Sequence, residues 1–140
     1  MKKGILLGAA TLMLMTAVPL VSMASNQNNT ETNINTDAEF LAHFNNKWSS
    51  IENQLEAIAQ NGQISASAAT VPMTQLINLM NEGYDFLKMQ FIGNETLMNQ
   101  KMDNLNTRGE LRSEIYKMSK NDTYSLAMVK QIVAAYKAEL

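Results

Sequence analysis

Phe40, Phe44, Trp48, Ile51, Leu55 and Ile58 recur at steps of three and four residues, and no other pattern in the chain limits its fold as tightly. A helix turns once in 3.6 residues, so this spacing puts all six side chains on one face. A helix with such a stripe is marginal alone in water and gains its stability by burying the stripe against a neighbour. Leu41 and Ala59 widen the stripe. Thr36 and Glu39 have the spacing of a capping box, and Asp37 places a negative charge in the first turn. Asn61-Gly62 ends the segment, with Gly62 suited to a left-handed C-terminal cap.

The same period returns further on. Ser65 to Thr70 is small and polar and reads as a loop, and Pro72 suits a helix start. Met73, Leu76, Ile77, Met80, Tyr84, Leu87 and Phe91 then share a face. Gly93-Asn94 predicts a break, with Glu95 in a new first turn, and Met98, Met102 and Leu105 continue the apolar spacing. Thr107 and Glu110 repeat the capping-box spacing ahead of Leu111, Ile115 and Met118, which predicts a further helix start. Lys120-Asn121-Asp122 reads as a turn, with Asn121 or Asp122 as the next N-cap. The last helix turns Leu126, Val129, Val133, Tyr136 and Leu140 inward. No useful length alternates with period two, which predicts no strand. The fold class expected is all-α: a small antiparallel helical bundle of four to five helices over residues 36–140.

The beginning of the chain bears on location. Lys2 and Lys3 precede an apolar run from Ile5 to Val18, then Pro19, with Ser22 and Ala24 flanking Met23. This is the pattern of a secretory signal peptide cut after Ala24. Gly4 to Ala24 approaches the length that crosses a bilayer, so a retained anchor is the competing reading, although Thr11, Thr16, Pro19 and Ser22 interrupt the run. The expected organisation is a signal peptide over 1–24, a polar flexible leader over 25–35 and one domain over 36–140. The expected location is periplasmic or secreted, in a bacterial cell envelope, with no stable membrane insertion after cleavage.

Composition then removes several chemistries. The chain has no cysteine, which excludes disulfides, thiol catalysis, thiolate metal sites and a lipid anchor on cysteine. Loss of Lys2 and Lys3 would take the formal charge from −2 to −4, and no polybasic run remains to hold nucleic acid or an anionic membrane. His43 is the only histidine and lies at the edge of the first stripe. It has no neighbour at a metal-binding or nucleophile-activating spacing, and a partly solvated boundary position accounts for it. The last helix has no histidine, so the chain lacks the Met-and-His pair of the small periplasmic four-helix haem proteins. Glu52/Glu56 and Glu110/Glu114 are like-charged pairs that suit a solvated face. Met98 and Met102 stand one turn apart and could share a soft copper(I) ion, but core filling explains the same spacing. No catalytic motif, metal site or cofactor is expected.

What remains is a set of apolar residues beyond the need of a single stripe. Leu79, Phe86 and Met89 fall at or outside the margin of the second helix's stripe, and Tyr124 and Met128 lie away from the Leu126/Val133 face. Surplus aromatic and methionine residues at helical spacing suit a partner surface; a helix covered on more than one side explains them equally. The functional expectation is a non-enzymatic protein-binding module. An immunity or inhibitor protein that occludes a toxin or enzyme fits, as does an accessory factor of a secretion or surface apparatus; a second copy of the chain is a further candidate partner. The alternative is a carrier of haem, copper(I) or an apolar ligand.

Overall fold

The computed structural model describes residues 33–140. The expected signal peptide and most of the leader lie outside the described residues. Among those described are four α-helices and one two-stranded antiparallel sheet: α1 (Asp37–Ile58), β1 (Gln63–Ser65), α2 (Thr70–Gln90), α3 (Glu95–Met118), β2 (Thr123–Ser125) and α4 (Leu126–Ala138).

The first helix starts as its sequence predicts. The Thr36 hydroxyl accepts from the Glu39 amide at 3.1 Å, and the Glu39 carboxylate accepts from the amides of Thr36 and Asn35 at 3.3 and 2.7 Å. Phe40, Phe44, Trp48, Ile51 and Leu55 are buried, each contributing about 1.5–3 kcal/mol of apolar transfer. Their cover comes from α2 and, at Phe44, from Tyr136 of α4. Gln90 donates to Asp37 at 2.9 Å, His43 meets Glu82 at 2.9 Å and Gln54 donates to Gln75 at 3.0 Å, so residue numbers fall along α2 as they rise along α1.

The absence of strands predicted from the sequence is corrected. Gln63, Ile64 and Ser65 pair with Ser125, Tyr124 and Thr123. Three residues a side are too few to show an alternating pattern against the helical background. Ile64 and Tyr124 face each other across the ribbon and both are buried. Asn61-Gly62 belongs to this ribbon rather than capping α1. Both residues have positive φ, 52° and 76°, and Gln60 and Gln63 exchange both backbone hydrogen bonds across them. Paired positive φ is the signature of the tightest hairpin turn, which Asn-Gly favours.

The second helix buries Pro72, Met73, Leu76, Leu79, Met80, Gly83 and Leu87, while Ile77, Tyr84 and Phe91 are only half-covered. Its covered arc is wider than the predicted stripe and turned from it because α2 packs against α1 on one side and α3 on another. The break at Gly93 is present. Gly93 takes φ 71° and the Asn94 side chain caps α3 by accepting from the Leu97 amide at 3.0 Å.

The further helix start predicted at Thr107 does not occur. The Thr107 hydroxyl donates back to the Asp103 carbonyl at 3.0 Å, an in-helix bond, and α3 runs on through Gly109. A helix interior tolerates this bond, so the capping-box spacing alone did not distinguish the two states. Met102 is exposed and Met98 half-buried, which corrects the expectation that both fill the core. The N-cap of α4 is Ser125, not Asn121 or Asp122, because β2 occupies the intervening residues; the Ser125 hydroxyl accepts from the Met128 amide at 3.3 Å.

Candidate binding surface

Two places in this fold depart from ordinary helical packing. One is a buried polar knot; the other is an exposed apolar corner.

The knot centres on Arg108, the single buried charged residue among those described. Its Nε donates to Asn104 at 2.9 Å, one terminal nitrogen to the Gly83 carbonyl at 2.6 Å and the other to the Glu139 carbonyl at 2.7 Å. Asn104 in turn donates to the carbonyl and carboxylate of Glu139, both at 2.9 Å. Beside it the Tyr136 hydroxyl donates to the Met80 carbonyl, and the Tyr136 ring stacks on Phe44 at 5.4 Å. Burial lowers the Arg108 pKa from its usual value, but an arginine stays charged throughout the physiological range. The fork geometry of guanidinium meets carbonyls from two other segments at once, which a lysine would not do. With all three nitrogen atoms engaged, the knot ties α3 to α2 and to the end of α4.

The corner joins α2 to α3. The Ile92 amide donates to the Met89 carbonyl at 3.3 Å, the Phe91 amide to Lys88 at 3.1 Å and the Asn94 amide to Phe91 at 2.9 Å. With Gly93 left-handed and Gln90 held to Asp37, this bonding fixes the corner's backbone. It leaves Met89 69% exposed and Ile92 78% exposed, three residues apart. Ile92, like the separately exposed Val71 and Tyr116, is an apolar surface residue that the sequence pattern does not single out. Its signal was its place directly ahead of Gly93-Asn94, after the helical period had ended.

The five residues singled out from the sequence therefore separate. Leu79 is buried in the core, because α2 is covered from two sides. Tyr124 is buried too, as the cross-strand partner of Ile64, and burial raises its pKa. Both are withdrawn as exposed contact residues. Phe86 is half-buried and stacks on Phe40, ring centres 4.9 Å apart. Met89 and Met128 are exposed. They do not share a patch along α2. Met128 follows the ribbon that leads into the start of α2, whereas Met89 is near the helix's other end, about 30 Å away at 1.5 Å per residue.

His43, Glu82, Glu52, Glu56 and Lys130 serve contacts between helices. His43 bridges α1 to Glu82 and lies against the Phe40 ring. The like-charged Glu52 and Glu56 converge on Lys130 of α4, which explains their spacing better than a solvated face does. Among the described residues, no three His, Asp or Glu side chains are grouped to hold a metal ion, and no helix is long and apolar enough to cross a membrane. In comparisons with known proteins, the chain matches no protein family, no curated protein and no solved structure.

Proposed function

We propose that this protein is an exported, non-enzymatic binding module that acts by occupying a surface of another protein in the bacterial cell envelope. The observation that carries this reading is the corner: Met89 and Ile92, both more than two-thirds exposed, on a backbone held by its own hydrogen bonds. Fixed apolar side chains cost little ordering entropy when a partner covers them, and methionine adapts to the shape it meets. The four helices serve as scaffold, in our reading an antiparallel bundle. Lys2, Lys3 and the apolar run that follows support export. Occlusion of a toxin or enzyme, or service to a secretion or surface apparatus, suits such a module.

The test compares capture of envelope proteins by the parent protein and by the Met89→Asp/Ile92→Asp double variant. Matched melting temperatures of the two proteins separate a loss of binding from a loss of fold. A dominant protein held by the parent and released by the variant supports the reading. Equal capture by both, with matched melting temperatures, overturns the corner as the contact.

A further inference from the structure

Four of the seven described methionines mark the extremes of exposure, with Met98, Met102 and Met118 between them. Met80 is wholly buried and Met73 is 3% exposed, both on α2 where it faces the core. Met89 stands out from the corner and Met128, 51% exposed, from the first turn of α4. A thioether reacts with an electrophilic oxidant only where the oxidant can touch sulfur. Contact with the sulfur of Met80 requires α2 to lift from its neighbours, and the Tyr136 bond to the Met80 carbonyl opposes that.

We propose that, among the described residues, Met89 and Met128 are the oxidation sites of this folded chain, each taking one oxygen atom from a peroxide. With hydrogen peroxide, the sulfur lone pair attacks one oxygen and an S–O bond forms as the O–O bond breaks. The departing hydroxide takes up the proton of the transferred oxygen and leaves as water. Sulfur loses two electrons and the peroxide gains them. The product is a polar, chiral sulfoxide in place of an apolar group, and a thiol-dependent sulfoxide reductase returns it to methionine. Neither side chain fills the core, so the modification changes the surface and spares the fold. The chemistry stands independently of the binding reading; if both hold, oxidation at Met89 also weakens the partner contact.

The experiment treats the purified protein with graded hydrogen peroxide and reads each methionine by peptide mass spectrometry. Met89 and Met128 are expected to gain oxygen roughly tenfold faster than Met73 and Met80, because each 1.4 kcal/mol of opening slows a buried site by that factor. Met102, at the edge of exposure, falls between. The same titration in guanidinium is expected to level the rates, and a sample oxidised only at the fast sites should melt within about 2 °C of the parent. The Met89→Leu/Met128→Leu variant should lose the fast uptake. Oxidation of Met73 or Met80 as fast as Met89, an unchanged spread of rates in the unfolded chain, or fast uptake surviving in the double variant would each overturn the proposal. None of these readouts depends on a partner, so failure here is distinct from failure of the binding reading.

Discussion

The phenolic oxygen of Tyr136 occupies the space that a side chain on Gly83 would need: a Cβ at Gly83 would lie 2.4 Å from it and 3.1 Å from the ring. The absence of a side chain at Gly83 lets α4 press its tyrosine against α2 and reach the Met80 carbonyl. Glycine in a helix interior ordinarily costs about 0.5–1 kcal/mol relative to alanine. Here close packing outweighs that cost.

Gly83→Ala is therefore expected to destabilise the protein by about 1–3 kcal/mol, the range for overpacking, against the gain that an open helix site would show. Tyr136→Phe should cost about 0.5–1.5 kcal/mol through loss of its hydrogen bond to the Met80 carbonyl, which keeps its bond within α2. The two residues touch, so the Gly83→Ala penalty should shrink in the Tyr136→Phe background. Urea melts of the four proteins in this cycle measure the coupling. Additive losses would show that the contact does not set the cost.

Removing Arg108 leaves carbonyls of two segments without their charged donor. Arg108→Met is expected to lose about 2–4 kcal/mol, and Arg108→Lys to recover only part of it, because one ammonium cannot reproduce the fork. A shift of the urea midpoint at constant slope is the expected signature. Full recovery by lysine would mean that charge alone matters at this site.

Folding raises the pKa values of Tyr136 and Tyr124, chiefly through burial, and that of Lys130 through its bond to Glu56. The folded chain thus holds these protons more tightly than the unfolded chain. The associated stability is complete below the ordinary tyrosine value of about 10 and is lost as pH rises beyond it. Stability should be nearly flat from pH 7 to 9 and then fall. Denaturant midpoints for the Tyr124→Phe/Tyr136→Phe variant should fall less steeply above pH 10 than those of the parent.

Gly62 has no atom within 4 Å of the place its Cβ would take, yet its φ is 76°. Gly62→Ala tests backbone strain without steric contact, and a loss of about 1–2 kcal/mol is expected. A neutral result would show that the turn can change type without disturbing the ribbon.

The helices were legible where local chemistry and packing agree. Thr36 with Glu39 marked the start of α1, Gly93-Asn94 marked the corner, and the Phe40 to Leu55 stripe is the face that α1 buries. Thr107 with Glu110 showed the same spacing and misled, because a threonine hydroxyl can also return to the carbonyl four residues back. Leu79 and Tyr124 looked surplus because a single stripe was assumed. Which helix is covered twice, and which three residues pair as strands, depends on contacts distant in sequence. Arg108 has one local partner, Asn104 four residues back, but the carbonyls of Gly83 and Glu139 that it also meets are 25 and 31 residues away. Of the candidate surface, Met89 could be read from its position outside the stripe, whereas the exposure of Ile92 depended on how the corner closes.

The β1–β2 ribbon joins the α1–α2 linker to the α3–α4 linker, with the Ala66 amide donating to Asp122 and the Leu126 amide to Gly62, both at 2.9 Å. This has a consequence for the order of assembly. The α1–α2 and α2–α3 pairs form between neighbours in the chain, whereas the ribbon joins segments separated by the whole of α2 and α3. The ribbon is therefore expected to close late and to open early. The amides of Ala66 and Leu126 are expected to exchange with solvent together and ahead of those in the middle of α2.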